Sequence, residues 1–208
     1  MIRLNYQALE AAEKVLAPFP HVVVAQFVPE DELKAVVADL PTITQRGSFP
    51  ITSLRLGTTA MALMQELEGA RFRDAIAAKF GLDLVGAPTM VTLRGQSTER
   101  DGHIHCDSHA KRVTVLLYLN PDSAAWARNE GCLRLLRGAN DIEDFAVEVP
   151  PVNGNLLIFA NGAGTWHGHK QFIGQRFVVQ LNYMTEDRAA RSELRRHRVS
   201  AFLKRMTA

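Results

Sequence analysis

Residues 153–184, NGNLLIFANGAGTWHGHKQFIGQRFVVQLNYM, decide the fold. The polar turn Asn153-Gly154-Asn155 leads into the apolar run Leu156-Leu157-Ile158-Phe159. A glycine-rich turn follows, then Trp166-His167-Gly168-His169, and a third turn delivers Gly174-Gln175-Arg176. The segment closes with Phe177, Val179 and Leu181 alternating against Val178, Gln180 and Asn182. Period-two alternation bounded by Gly and Asn is the signature of strands joined by tight turns. The order is therefore turn, buried strand, turn, histidine-bearing strand, turn, arginine-bearing strand.

Working outward, strand-like runs occur near 88–94, 112–119, 132–136 and 145–149, and continue as 155–160, 165–171 and 176–184. Val113, Val115 and Leu117 alternate with Thr114, Leu116 and Tyr118. Many short strands with no helix between them predict a sandwich or jelly roll. The N-terminal half reads differently. Leu9, Ala12, Val15 and Leu16 have helical spacing over 6–16, and residues 21–28 form a β-branched run. Pro29 followed by Glu30, Asp31 and Glu32 marks a helix start, with the helix running to about Leu40 before Pro41. Residues 42–57 are turn-rich and predict a loop near a site mouth. Thr58 or Thr59 is placed to cap a helix bearing Met61, Met64 and Leu67, and a further helical stretch reaches Phe80 with Gly81 as its C-cap.

The fold class expected is mainly β with flanking helices, a jelly-roll core packed against N-terminal helices. The organisation expected is one domain over 1–208: helical support over about 1–85, the jelly-roll core over about 86–185, and a basic helix over about 186–206. That last segment holds seven Lys/Arg against three acids, with Val199, Phe202, Leu203 and Met206 at helical spacing. With 208 residues, 47% hydrophobic and 22% charged, the composition is that of a globular protein. A net charge of +2 gives no argument for nucleic acid. No apolar run reaches the roughly 20 residues of a membrane span, and the N-terminus has no signal-peptide pattern. Two cysteines, Cys106 and Cys132, make no disulfide framework, which points to a reducing cytoplasm.

The chemistry centres on His105-Cys106-Asp107 and the later Trp166-His167. Two imidazoles and one carboxylate are the facial ligand set of non-haem ferrous iron, which leaves positions open for other molecules. Strand alternation would let His103, His105 and Asp107 share a face, and likewise His167 and His169, so five ligands compete for three places. A rival set built on His103 and His105 wants a glutamate a few residues on, but Ser108-His109-Ala110-Lys111-Arg112 supplies none. Arg176, nine residues past His167, suits a small dicarboxylic acid, because a guanidinium fork grips a carboxylate with two hydrogen bonds.

Together with Met90-Val91, Arg112-Val113-Thr114, Tyr118-Leu119-Asn120 and Glu130-Gly131-Cys132-Leu133-Arg134, these motifs resemble the iron(II)/2-oxoglutarate-dependent dioxygenases, in their prolyl-4-hydroxylase-like branch. The resemblance covers about residues 86–190 and implies a double-stranded β-helix core. It implies Fe(II) held by His105, Asp107 and His167, with 2-oxoglutarate as cosubstrate and ascorbate as an accessory reductant. Arg176 and Tyr118 would hold the distal carboxylate of 2-oxoglutarate, and Thr114 would line the pocket beside it. Arg94 stands near a position where the oxygen-sensing members carry tyrosine, so it implies an anionic substrate group or a second cosubstrate anchor.

The activity implied is hydroxylation of an unactivated C–H bond in peptidyl proline or a small molecule, using molecular oxygen and releasing succinate and CO2. An aspartate at 107 favours hydroxylation over halogenation. The rival from another class is a metal- and 2-oxoglutarate-binding jelly roll that senses without turnover. A nucleic-acid demethylase is disfavoured by the single arginine step. Oligomeric state is open on sequence grounds.

Overall fold

The computed structural model describes residues 2–121, 126 and 130–196. The N-terminal half supplies α1 (Tyr6–Ala11), β1 (His21–Val24), α2 (Glu30–Ala38), β2 (Phe49–Pro50), α3 (Thr58–Leu67) and α4 (Ala70–Phe80). The rest is stranded: β3 (Thr89–Ser97), β4 (Lys111–Tyr118), β5 (Leu133–Leu136), β6 (Phe145–Val149), β7 (Leu156–Ala160), β8 (His167–His169) and β9 (Gly174–Met184). Six strands form a major sheet in the order β1-β7-β4-β9-β3-β2, and three form a minor sheet, β6-β5-β8. Every paired neighbour is antiparallel. This is the two-layer jelly roll predicted from the strand texture.

The alternation along β4, β7 and β9 builds two cores on the two faces of one sheet. Val113, Val115, Leu117, Leu156, Ile158, Phe177, Val179 and Leu181 face the helices, packing with Leu63, Met64, Leu67, Phe72 and Ile76. Leu116, Tyr118, Leu157, Phe159 and Val178 face the minor sheet, against Leu133, Leu135 and Val149. The central strands are thus apolar on both sides, because neither face reaches water. The inner layer is where the polar exceptions Thr114, Asn182 and Arg176 stand, all buried.

Three local readings change. The helix expected over 6–16 ends at Ala11, where Ala12 is extended. Val15 instead exchanges backbone hydrogen bonds with His21, and Leu16 is 68% exposed. Pro18 and Pro20 interrupt any helical continuation, so the chain turns back directly into β1. The cap of α3 is not Thr58 or Thr59. The N-cap is Gly57, and the acceptor comes from elsewhere: Asp39, at the end of α2, takes the Thr59 and Ala60 N–H groups. A Cβ on Gly57 would lie 2.4 Å from Asp39 Cγ, so the missing side chain is what lets the carboxylate in. The loop over 42–57 contains β2, which pairs with the edge of β3 (Phe49↔Leu93, Pro50↔Thr92). A proline is tolerated there because an edge strand has no further ladder to donate to.

The helix over Glu30–Ala38 and the left-handed Gly81 cap (φ 68°) form as read. Residues 188–196 are helical, with Ala190 packed on Ala110 and Met184. Val199, Phe202, Leu203 and Met206 of the expected basic helix lie outside the described residues. Among the described residues, no helix is long and apolar enough to cross a membrane.

Candidate metal centre

The minor sheet and the loop before β4 bring the ligand atoms together. His105 is not in a strand. It makes a single antiparallel bridge with His167 of β8, donating its N–H to the His167 carbonyl at 3.0 Å and accepting in return at 2.9 Å. That bridge sets the two imidazoles side by side, with ring centroids 4.3 Å apart. One ligand atom each from His105, Asp107 and His167 lie within 4.8 Å of one another. Gly168 permits the approach, since a Cβ there would meet the Gly102 carbonyl at 2.8 Å.

Each ring is set in one tautomer. His105 Nδ1 faces the His103 carbonyl at 2.9 Å, and His167 Nδ1 faces the Thr165 carbonyl at 2.9 Å. A carbonyl only accepts, so Nδ1 carries the proton and Nε2 is the free lone pair that a metal takes. His167 is buried. Desolvation, followed by the His105 charge, lowers its pKa to about 4, so it is neutral and ready to ligate at neutral pH.

Asp107 is held on both oxygens. Lys111 Nζ donates to Oδ1 at 2.6 Å, and the Thr114 hydroxyl donates to Oδ2 at 2.6 Å. Burial pushes its pKa up, but the charge of Lys111 and these two donors win, and the carboxyl sits below its ordinary value. Thr114 has one proton and gives it to Asp107. Its oxygen accepts from the Asn161 amide at 2.8 Å, and Asn182 Oδ1 lies 3.1 Å away as a second, longer acceptor for the same proton.

A cavity of about 200 Å³ opens beside these ligands, lined in part by Arg94, Thr114, Tyr118, His169 and Arg176. Arg176 is 5% exposed. Its Nε donates to the Gly131 carbonyl at 3.0 Å, and its guanidinium lies 5.4 Å from the centre of the Tyr118 ring. Among the described residues no carboxylate pairs with it. The Tyr118 hydroxyl is also buried and without a hydrogen-bond partner. Burial pushes that phenol up to about 12, so it stays a donor. A buried cation and an orphaned hydroxyl facing one cavity fit an anionic ligand, since both are costly when left alone. The donor set of His105, Asp107 and His167 fits ferrous iron equally well.

The structure also explains motifs that the ligands alone do not need. The Asn120 amide accepts from the Phe177 N–H at 2.7 Å and donates to the Phe177 carbonyl at 3.0 Å, which fixes the backbone next to Arg176. Gly131, at φ 74°, turns its carbonyl to Arg176. Arg134 plays no part in the cavity. It faces away and pairs with Glu148 at 2.6 Å across β5 and β6. Arg94 lines the cavity and pairs with Asp101 at 3.0 Å.

Of the spare histidines, His103 and His109 are exposed, while His169 is buried at the cavity wall. Sequence reading missed Lys111, Asn161 and Asp101. Asn182 was within reach, because the period-two count from Arg176 puts it on the inward face of β9.

Residues 93–184 match the family model described as the 2OG-Fe(II) oxygenase superfamily. No curated protein matches the sequence significantly. Among solved structures, a prolyl-4-hydroxylase from Pseudomonas putida shares 18% identity at a TM-score of 0.58, over 89% of this chain and 95% of that one. A prolyl hydroxylase from Trichoplax adhaerens, solved with a hypoxia inducible factor oxygen degradation domain peptide fragment, shares 18% at 0.60, over 91% and 93%. HygX from Streptomyces hygroscopicus, solved with nickel and 2-oxoglutarate, shares 12% at 0.53, over 80% and 82%.

Proposed function

We propose, from the match of residues 93–184 to the 2OG-Fe(II) oxygenase superfamily model and the likeness of the fold to a prolyl-4-hydroxylase, that this chain is an enzyme that hydroxylates an unactivated C–H bond of a small-molecule or peptide substrate. His105, Asp107 and His167 would hold the iron. Arg176 and the Tyr118 hydroxyl would hold the distal carboxylate of 2-oxoglutarate. The observation that carries the reading is Arg176: a buried guanidinium with no carboxylate partner among the described residues, in the same cavity as the three ligands.

Ferrous iron and 2-oxoglutarate, when bound, supply an oxidant drawn from molecular oxygen, and the cosubstrate leaves as succinate and CO2. The chain supplies position and shielding. The His103 and Thr165 carbonyls keep both imidazoles on the Nε2-acceptor tautomer. Thr114 and Lys111 keep Asp107 ionised and fix its plane. Leu116, Leu133 and Val178 supply the apolar part of the cavity lining.

The test is succinate formation from 2-oxoglutarate with added iron and oxygen. Wild-type protein should form succinate, and His105→Ala and His167→Ala should each abolish it. Binding of 2-oxoglutarate without any succinate, across a broad substrate panel, would instead identify a sensor. Near wild-type turnover in either variant would move the ligand role to His103 or His169.

A further inference from the structure

The inward face of the major sheet is divided between two strands' worth of chemistry. On β4 and β9, Tyr118 lies opposite Val178, Leu116 opposite Gln180, and Thr114 opposite Asn182. Tyr118 and Arg176 stand at one end of that pair, and Thr114 with Asp107 at the other. The next strand, β3, runs alongside, with Arg94 opposite Val178 and Thr92 opposite Gln180. Arg94 is therefore separated from Tyr118 by the whole of β9, roughly two strand spacings of about 4.8 Å. It belongs to a different lane of the cavity. That lane continues along Thr92 and Met90 into a second cavity of about 340 Å³, which shares Lys111 and Gln180 with the first.

Arg94 is built as an anchor. One guanidinium nitrogen is tethered to Asp101, whose buried carboxylate is itself fixed by the Thr98 N–H at 2.9 Å and hydroxyl at 3.0 Å. Its other donors have no partner among the described residues. Across the cavity wall stands His169, whose Nδ1 faces the Lys170 carbonyl at 2.8 Å. The proton is therefore on Nδ1, and Nε2 is a lone pair to which no described residue donates. The charge balance points the same way. Arg94, Lys111 and Arg176 line the site cavity, with Asp107 paired to Lys111 and the buried Asp101 paired to Arg94. A ferrous ion and a dicarboxylate cancel each other, so one net positive charge remains for the substrate.

Resting on the oxygenase reading above, we propose that the substrate is a small organic acid carrying a hydrogen-bond donor next to its carboxylate, an amino or hydroxy acid. Its carboxylate is taken by Arg94 and its donor by His169 Nε2. The tethered fork gives two-point recognition of a carboxylate, and a site built around buried polar groups rejects the analogue that leaves them unpaired.

The test uses protein loaded with manganese(II) in place of iron, first titrated with 2-oxoglutarate by calorimetry. Failure of 2-oxoglutarate to bind sinks the cosubstrate reading before any acid is added. The saturated complex is then titrated with a panel of L-amino and L-hydroxy acids, their carboxamides, and the matching acids lacking the amino or hydroxyl group. At least one acid should bind at least about ten-fold more tightly than its carboxamide and than its donor-free counterpart. Arg94→Gln should erase the acid–amide difference and leave 2-oxoglutarate affinity within about two-fold, and Arg94→Lys should restore part of the difference. The proposal is overturned if no acid binds, if acids and amides bind alike, if the donor makes no difference, or if Arg94→Gln weakens 2-oxoglutarate instead.

Discussion

Arg176 illustrates how function and stability oppose each other at one residue. Its guanidinium is buried against the Gly131 carbonyl and the Tyr118 ring, with no carboxylate partner among the described residues. Replacing a buried charge by an apolar side chain of similar volume is commonly neutral or stabilising. Arg176→Met is thus expected to hold or raise the melting temperature of the metal-free protein. The same change should weaken 2-oxoglutarate by roughly 2–4 kcal/mol, or about 30- to 1000-fold, because a buried charge-assisted pair is lost. Calorimetry with 2-oxoglutarate and a thermal melt of the same sample decide both. A melting temperature lowered by many degrees would mean that Arg176 is structural. Thr114 makes a complementary case. Thr114→Val removes the donor on Asp107 Oδ2 at constant shape. Metal affinity should fall about 10- to 100-fold, as for other groups that orient a ligand. Titration with manganese(II) measures it, and unchanged affinity would assign the orienting role to Lys111 alone.

At the scale of elements, the strands were more legible than the junctions. A strand's two faces follow from a period of two, and that count puts Thr114 and Arg176 on the inward faces of β4 and β9. The N-terminal helices depend on contacts far apart in sequence. Nothing local in Gly57-Thr58-Thr59 announces that the cap is a carboxylate eighteen residues upstream. The ligand loop is harder to read for a related reason. Alternation assumes a strand, whereas residues 98–104 form a loop and only His105 makes a bridge. His103 consequently contributes its carbonyl, not its ring. The α2–α3 junction gives a test. Gly57 has φ −69°, which any residue adopts, so Gly57→Ala acts through space and not backbone strain. It should displace Asp39 and cost about 1–2 kcal/mol, or roughly 2–8 °C. In an Asp39→Ala background the same change should cost much less, since the two share one interaction. Additive losses would show that the junction does not depend on this contact.

For the molecule as a whole, the site makes stability depend on pH in a window set by two histidines. His167 and His169 are both buried, and desolvation lowers each to about 4. In the unfolded chain they titrate near 6.5. Above that value both states bind no proton and the folded form keeps its full stability. As pH falls below 6.5 the unfolded chain takes up protons that the folded site refuses, so stability is lost until pH reaches the folded value. The carboxylates act in the opposite part of the scale. Asp39, Asp101 and Asp107 are all shifted downward, so their contributions survive until about the ordinary carboxylate range and vanish only below it. The interval between 6.5 and 4 therefore reports the histidines. Each should cost about 2 kcal/mol by pH 5, a large share of the roughly 5–15 kcal/mol that holds a domain together. Urea denaturation of chelated protein at several pH values should show this fall, and His169→Gln should remove about half of it. Saturating manganese(II) should restore stability, because a bound metal competes with the proton at Nε2. A flat profile between about pH 7.5 and 5 would mean that the imidazoles are solvated in the folded protein. In that case the dry cavity on which both the metal site and the Arg176 anchor depend would not exist.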